Sequence, residues 1–122
     1  MAKVLVIDDN ESFEKYVVPY LEAKGFSVFV EKTGKSGLES FKSNVPDIVV
    51  LDLGLPDVDG AEVYSKIKDV DPDVPVGVLS GYGEREKELL SLGVEAFFEK
   101  PVMAPELEKW INDVLLKKKG NN

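Results

Sequence analysis

Five short apolar runs alternate along the chain with five stretches in which apolar residues recur at helical spacing. The runs lie at residues 4–7, 26–30, 48–51, 76–79 and 96–98. Several are continuous rather than alternating, the pattern of strands covered on both faces of a parallel sheet. Between the runs, Phe13, Val17, Tyr20 and Leu21 form one stripe, Leu38 and Phe41 a second, and Val63, Ile67 and Val70 a third. Leu89, Leu90 and Leu92 follow, and then Leu107, Trp110, Ile111, Val114 and Leu115. Each set is spaced to line one side of a helix. Gly25, Gly93 and Gly120 follow helical stretches, where a C-terminal cap favours a left-handed residue, and Pro105 suits the first turn of the last helix. Pro19 is the misfit. Inside a helix it removes a backbone hydrogen bond and can cost about 3 kcal/mol, but Tyr20 and Leu21 continue the stripe, so the expectation is a kink and not a break.

This alternation predicts a single doubly wound (βα)5 domain of the α/β class, with right-handed crossovers and helices on both faces of a parallel five-stranded sheet. In the strand order 2-1-3-4-5 the crevice for ligands lies at the carboxyl ends of strands one and three. The 122 residues fit one domain, and no linker, repeat or low-complexity segment interrupts them before the last few positions. The domain is expected to span residues 1–119, with 120–122 a tail or the start of a linker. Met1 favours a natural start.

With 43% apolar and 31% charged residues the chain can close a core and stay in solution. It has no apolar run near the ~20 residues of a membrane helix, and its start lacks a signal-peptide layout. Cysteine is absent, which excludes disulfides and thiolate zinc sites, so a cytoplasmic location is expected. A net charge of −8 argues against direct nucleic-acid binding. The one basic run, Lys117 to Lys119, suits the end of a helix. Histidine is also absent, so the chain has no imidazole base and cannot itself carry phosphohistidine.

The candidate chemistry lies where the predicted strands end. Strand one runs into Asp8-Asp9 and strand three into Asp52, so three carboxylates converge on the crevice. Two unit charges about 4 Å apart repel by about 4 kcal/mol at an effective dielectric near 20, and protons or a cation must relieve that. Oxygen ligands without His or Cys select a hard cation such as Mg²⁺, which favours a site completed by phosphate. Strand four ends at the hydroxyl of Ser80, followed by Gly81, and strand five at Lys100-Pro101. A nucleophile, a metal clamp, a hydroxyl and a cation together suit phosphoryl transfer to a carboxylate. Taken singly, each has a plainer reading: Asp8-Asp9 as a helix cap, Asp52 as a loop acid, Ser80 as a turn residue, Lys100 as surface charge. Their succession at four strand ends favours the site. Thr33-Gly34-Lys35-Ser36 fails as a phosphate loop, because the glycine required five positions before Gly34 is Phe29. Phe97 and Phe98 read as core and edge aromatics, and Trp110 as packing its helix on the sheet.

Over about residues 3–118 the chain resembles the receiver domain of two-component response regulators, whose fold is flavodoxin-like. The resemblance rests on Val4-Leu5-Val6-Ile7-Asp8-Asp9, on Asp52 with Pro56 four and Gly60 eight residues later, on Leu79-Ser80-Gly81, and on Phe97-Phe98-Glu99-Lys100-Pro101. It implies a phosphorylation switch, not an enzyme acting on other molecules. Asp52 would take a phosphoryl group from a phosphohistidine of a sensor kinase or phosphotransfer protein. Asp9 and Asp52 would hold Mg²⁺ directly, Asp8 through water, and the Gly54 carbonyl would complete the protein ligands. Lys100 would pair with the phosphoryl oxygens, Ser80 would swing to one of them, and Phe97 would turn inward as it does. Lys100-Pro101 would be cis. The readout would be a surface of helix four, strand five and helix five that binds a downstream protein or a second copy. Two positions depart from the family: Gly54, where a larger side chain is more usual, leaves one side of Asp52 less shielded, and Gly81 replaces the usual alanine, while Tyr82 is placed to cover Asp52 from the other side. An aspartate-nucleophile phosphatase would need a second acid at position 54, and a flavin carrier would not set Asp8-Asp9-Asn10-Glu11 at its phosphate site. A receiver that has become a phosphorylation-independent interaction module is the remaining alternative.

Overall fold

The computed structural model describes residues 2–81 and 85–120. Strands and helices alternate along the chain: β1 Lys3–Ile7, α1 Glu11–Ala23, β2 Ser27–Glu31, α2 Gly34–Asn44, β3 Ile48–Asp52, α3 Gly60–Val70, β4 Val76–Ser80, α4 Glu86–Ser91, β5 Ala96–Glu99 and α5 Ala104–Gly120. The strands form one sheet in the order β2-β1-β3-β4-β5, every neighbouring pair parallel. The (βα)5 architecture is as the apolar pattern predicts, and the strand order is the one expected for this doubly wound fold.

Alternate residues of each strand face opposite sides of the sheet, so one strand feeds two cores. Leu5, Ile7, Val49, Leu51, Val76 and Val78 pack with Val63, Ile67 and Leu89 on the side covered by α2, α3 and α4. Val4, Val6, Ile48, Val50 and Leu79 pack with Val17, Leu21, Leu107 and Ile111 on the side covered by α1 and α5. The strand runs are apolar without alternation because neither face meets water. Trp110 packs α5 onto the sheet: its ring meets Phe98 edge-on at 5.6 Å between centroids and lies over Gly77, where an added Cβ would come within 2.8 Å of it. Phe97 and Phe98 are each partly buried, Phe97 against the first core and Phe98 against the second.

Helix α1 runs unbroken through Pro19. Its N-cap is neither Asp8 nor Asp9 but Asn10, whose side chain accepts from the Phe13 amide at 3.1 Å. A third polar residue takes the capping position, which leaves the two acids to the crevice. Gly25 and Gly93 adopt the left-handed conformation expected of them, at φ 95° and 84°. Helix α2 instead ends on Val45 at φ 47°, a conformation that crowds a β-branched side chain.

Candidate functional site

Parallel register brings the four strand ends to one edge of the sheet. Lys100 donates its amide to the Ser80 carbonyl at 2.8 Å, Leu53 donates to Leu79 at 3.0 Å, and Asp8 donates to Glu31 at 3.0 Å, so pairing continues just past the strands. These bonds fix the backbone beneath each candidate side chain. An open cleft of about 500 Å³ results, lined by Asp9 and Asn10 after β1, Asp52 to Gly54 after β3, Ser80 and Gly81 after β4, Lys100 after β5, and Arg85.

Asp52 and Ser80 are buried on the floor of the cleft. Lys100 Nζ stands 3.1 Å from Asp52 Oδ1 and 3.5 Å from Asp8 Oδ2. Far from being surface charge, its ammonium lies between the two buried acids. Asp8, Asp9 and Asp52 each present a carboxylate oxygen, all within 4.8 Å of one another. Asp8 Oδ1 accepts from the Asn10 amide at 2.8 Å, while Oδ2 is buried without a hydrogen bond. Burial pushes the Asp8 carboxyl above its ordinary range; the Asn10 amide opposes this, Asp52 adds to it, and Lys100 opposes it. A buried oxygen lacking a donor, set among three carboxylates, fits a hard divalent cation, and the donor set suits Mg²⁺.

The loop after Asp52 is tied down at two points. Gly60 donates to Leu53 at 3.1 Å, and a Cβ on Gly60 would stand 2.5 Å from Leu53 Cα and 2.7 Å from the Asp52 carbonyl oxygen. The glycine eight residues after Asp52 is therefore needed for the chain to return beneath it. In mid-loop, Asp57 accepts from the amides of Gly34 at 2.8 Å and Lys35 at 3.0 Å, which hold its carboxyl below the usual range. The segment that looked like a phosphate loop thus does receive an anion at a helix N-terminus, namely the chain's own Asp57. A Cβ on Gly34 would run into Val58 and Val63, so close packing accounts for that glycine.

Asp8, Asp9, Asp52, Gly54, Ser80 and Lys100 all lie at this edge. Gly54 is exposed, and among the described residues a Cβ there would meet only Asp52 Oδ2, at 3.8 Å, so no side chain at position 54 covers Asp52. Lys100-Pro101 is cis. Phe97 lies on β5 opposite Val78 of β4, two residues before Ser80 on that strand, and is partly buried. Tyr82 falls outside the described residues. Sequence reasoning missed Arg85. Its only signal is position, five residues after the end of a central strand and just before a helix, which puts it at the rim of the crevice.

The family model for the response regulator receiver domain matches residues 4–112, and the chain belongs to that family. It is 35% identical over 115 residues to a probable transcriptional regulator, ycf27, of Guillardia theta, across 93% of this chain and 45% of that protein. The chain spans less than half the length of the curated relatives it matches. Among solved structures, a response regulator receiver domain from Clostridium thermocellum superimposes with a TM-score of 0.89 at 30% identity, covering all of both chains. TrrA of Thermotoga maritima, solved in complex with Mg²⁺ and BeF, superimposes with a TM-score of 0.85 at 24% identity, over 93% of this chain and 99% of that one. Family membership disposes of the phosphatase and flavin-carrier alternatives. Receiver domains are not conventional enzymes; they are partnered with sensor histidine kinases in two-component signal transduction. No described helix is long and apolar enough to cross a membrane.

Proposed function

We propose that the chain accepts a phosphoryl group on Asp52 from a phosphohistidine of a sensor kinase or phosphotransfer protein and relays its phosphorylation state to a partner. The observation that carries this is the geometry of Asp52: buried on the floor of an open cleft, 3.1 Å from an ammonium and grouped with two further carboxylates. An Asp52 carboxylate oxygen attacks phosphorus in line with the donor nitrogen. The O–P bond forms as the P–N bond breaks, and the electron pair of that bond stays on the donor imidazole. Lys100 neutralises charge on the phosphoryl oxygens and on Asp52 as the bond forms. Asp8, Asp9, Asp52 and the Gly54 carbonyl would hold Mg²⁺. When bound, the ion neutralises phosphoryl charge.

Partner recognition has support beside the cleft. Phe13, Tyr16, Pro101, Val102 and Met103 line a groove of about 480 Å³ that reaches Asn10 and Lys100. An apolar surface next to the acceptor suits a protein donor. Once phosphorylated, Asp52 carries about two added negative charges. Ser80 moves to hydrogen-bond a phosphoryl oxygen, Phe97 turns into the space it vacates, and the face of α4, β5 and α5 changes. Leu90 and Leu116, 62% and 67% exposed, place apolar surface on that face for a downstream protein or a second copy.

The test is incubation with acetyl phosphate, with and without Mg²⁺, read by intact mass beside Asp52→Asn. An adduct that requires Mg²⁺ and Asp52 is expected. No adduct, together with no effect of beryllofluoride on thermal stability, would refute the reading in favour of a phosphorylation-independent interaction module.

A further inference from the structure

Among the described residues lining the cleft, two are cationic, Lys100 and Arg85. Lys100 already faces Asp52 and Asp8. Arg85, at the rim, is paired instead with Asp59 and Glu88. Its Nη2 donates to Asp59 Oδ2 at 3.0 Å and to Glu88 Oε1 at 3.1 Å, and its Nε to Glu88 Oε2 at 3.2 Å. Glu88 takes the guanidinium through two hydrogen bonds and Asp59 through one, and both carboxylates are half exposed, at 52% of side-chain surface, so solvent screens the grip of each. Neither glycine beside Asp52 and Ser80 narrows the way in: among the described residues a Cβ on Gly54 would touch only Asp52 Oδ2, and one on Gly81 would have no neighbour within 4 Å.

An arriving phosphoryl group changes the competition for Arg85. It brings about two negative charges and three oxygens into a cleft that already holds Asp8, Asp9 and Asp52. A guanidinium presents a planar fork of donors that matches two of those oxygens, and a phosphoryl group of about two charges competes for it against two carboxylates of one charge each.

Resting on the phosphoacceptor reading above, we propose that Arg85 is a second phosphoryl-binding cation, parked on Asp59 and Glu88 at rest and drawn into the cleft to speed phosphorylation of Asp52. Asp59 and Glu88 then act as competitors for that cation, tempering how readily the chain accepts a phosphoryl group.

The alternative is that Arg85 only ties the start of α4 to the loop after β3. The two predict opposite patterns. For a mere tie, removing either end has the same effect. For a phosphoryl ligand, losing the cation slows the reaction and losing its competitors speeds it. The measurement is the rate of acetyl phosphate incorporation, with Mg²⁺, for unaltered protein, Arg85→Ala, Asp59→Asn/Glu88→Gln and the triple variant. Asp59→Asn keeps the oxygen that accepts from the Ala61 amide at the start of α3, so the helix cap survives. A roughly tenfold fall is expected for Arg85→Ala and a rise of about threefold for Asp59→Asn/Glu88→Gln, with the triple variant matching Arg85→Ala. Changes of the same sign in the first two, or none in either, would overturn the assignment. Failure of the unaltered protein to take up phosphate would instead overturn the phosphoacceptor reading, and this proposal with it.

Discussion

Asp8→Asn alters one charge and almost no volume at the floor of the cleft. Asp8 is 1% exposed and its Oδ2 lacks a hydrogen bond. Two Coulombic effects oppose each other. At an effective dielectric near 20, attraction to Lys100 at 3.5 Å amounts to about 4.7 kcal/mol, and repulsion from Asp52, within 4.8 Å, to about 3.5 kcal/mol or more. Asp9, exposed, adds a further and weaker repulsion, so the charges nearly cancel. What remains is the unsatisfied buried oxygen, about 1–3 kcal/mol. The raised carboxyl pKa agrees in sign. The folded state holds the Asp8 proton more tightly than the unfolded chain, so stability from this group falls as pH climbs from the ordinary carboxyl value through the raised one. Asparagine mimics the protonated acid and keeps the acceptor for the Asn10 amide. The expected result in EDTA is a gain of about 1 kcal/mol, a rise of roughly 4 °C in Tm for a domain this size. In magnesium chloride the order reverses. An ion bound only to the folded state at a hundredfold excess over Kd adds about 2.7 kcal/mol to unaltered protein, and the variant loses most of that. Thermal unfolding in both buffers measures the pair of effects. A variant less stable in EDTA would show that the Lys100 attraction dominates, and an undiminished response to magnesium would remove Asp8 from the metal site.

Three further outcomes follow from the fold. Gly60→Ala sets a methyl against the Leu53 and Asp52 backbone and should cost about 1–3 kcal/mol, read as a lower urea midpoint; an unchanged midpoint would mean that the loop yields freely. Asp57, its pKa lowered by the Gly34 and Lys35 amides, contributes stability above the ordinary carboxyl value and loses it as pH falls through the depressed one. Asp57→Asn should therefore flatten the acid limb of a stability–pH curve, and a parallel curve would contradict the clamp. Val45→Asn relieves a left-handed valine that is 71% exposed and should stabilise by roughly 0.5–1 kcal/mol in chemical denaturation; a loss would show that the valine contributes packing after all.

The fold was legible because each strand carries its burial on its face. Runs such as 48–51 are apolar at every position, and in a sheet covered on both sides that is what a strand must be. The site was legible because strand order alone brings strand ends together, so Asp8, Asp9, Asp52, Ser80 and Lys100 could be placed before any side chain was seen. What escaped depends on contacts between elements rather than along them. Asn10 and the two acids before it are all good caps, and only the packed structure selects Asn10. Asp57 lies 23 residues from Gly34, and no periodicity joins a loop acid to a distant helix start. Arg85 sits among charged neighbours in a stretch that reads as a solvated surface. Val45 ends its helix where a glycine would be the ordinary choice.

The clamp between Asp57 and the start of α2 also bears on where a signal can travel. The chain after Asp52 is held by the Gly60 amide on Leu53 and by two amides gripping Asp57, none of which involves Ser80 or Lys100. Work done on Asp52 therefore meets a stiff abutment on the side of α2 and α3. On the other side, Arg85 is joined to Asp59 by one exposed ion pair. A push between a wall and a door moves the door. On the phosphoacceptor reading, strain raised at Asp52 would be channelled toward α4 and β5, with the α2 side as the fixed frame against which that displacement is measured.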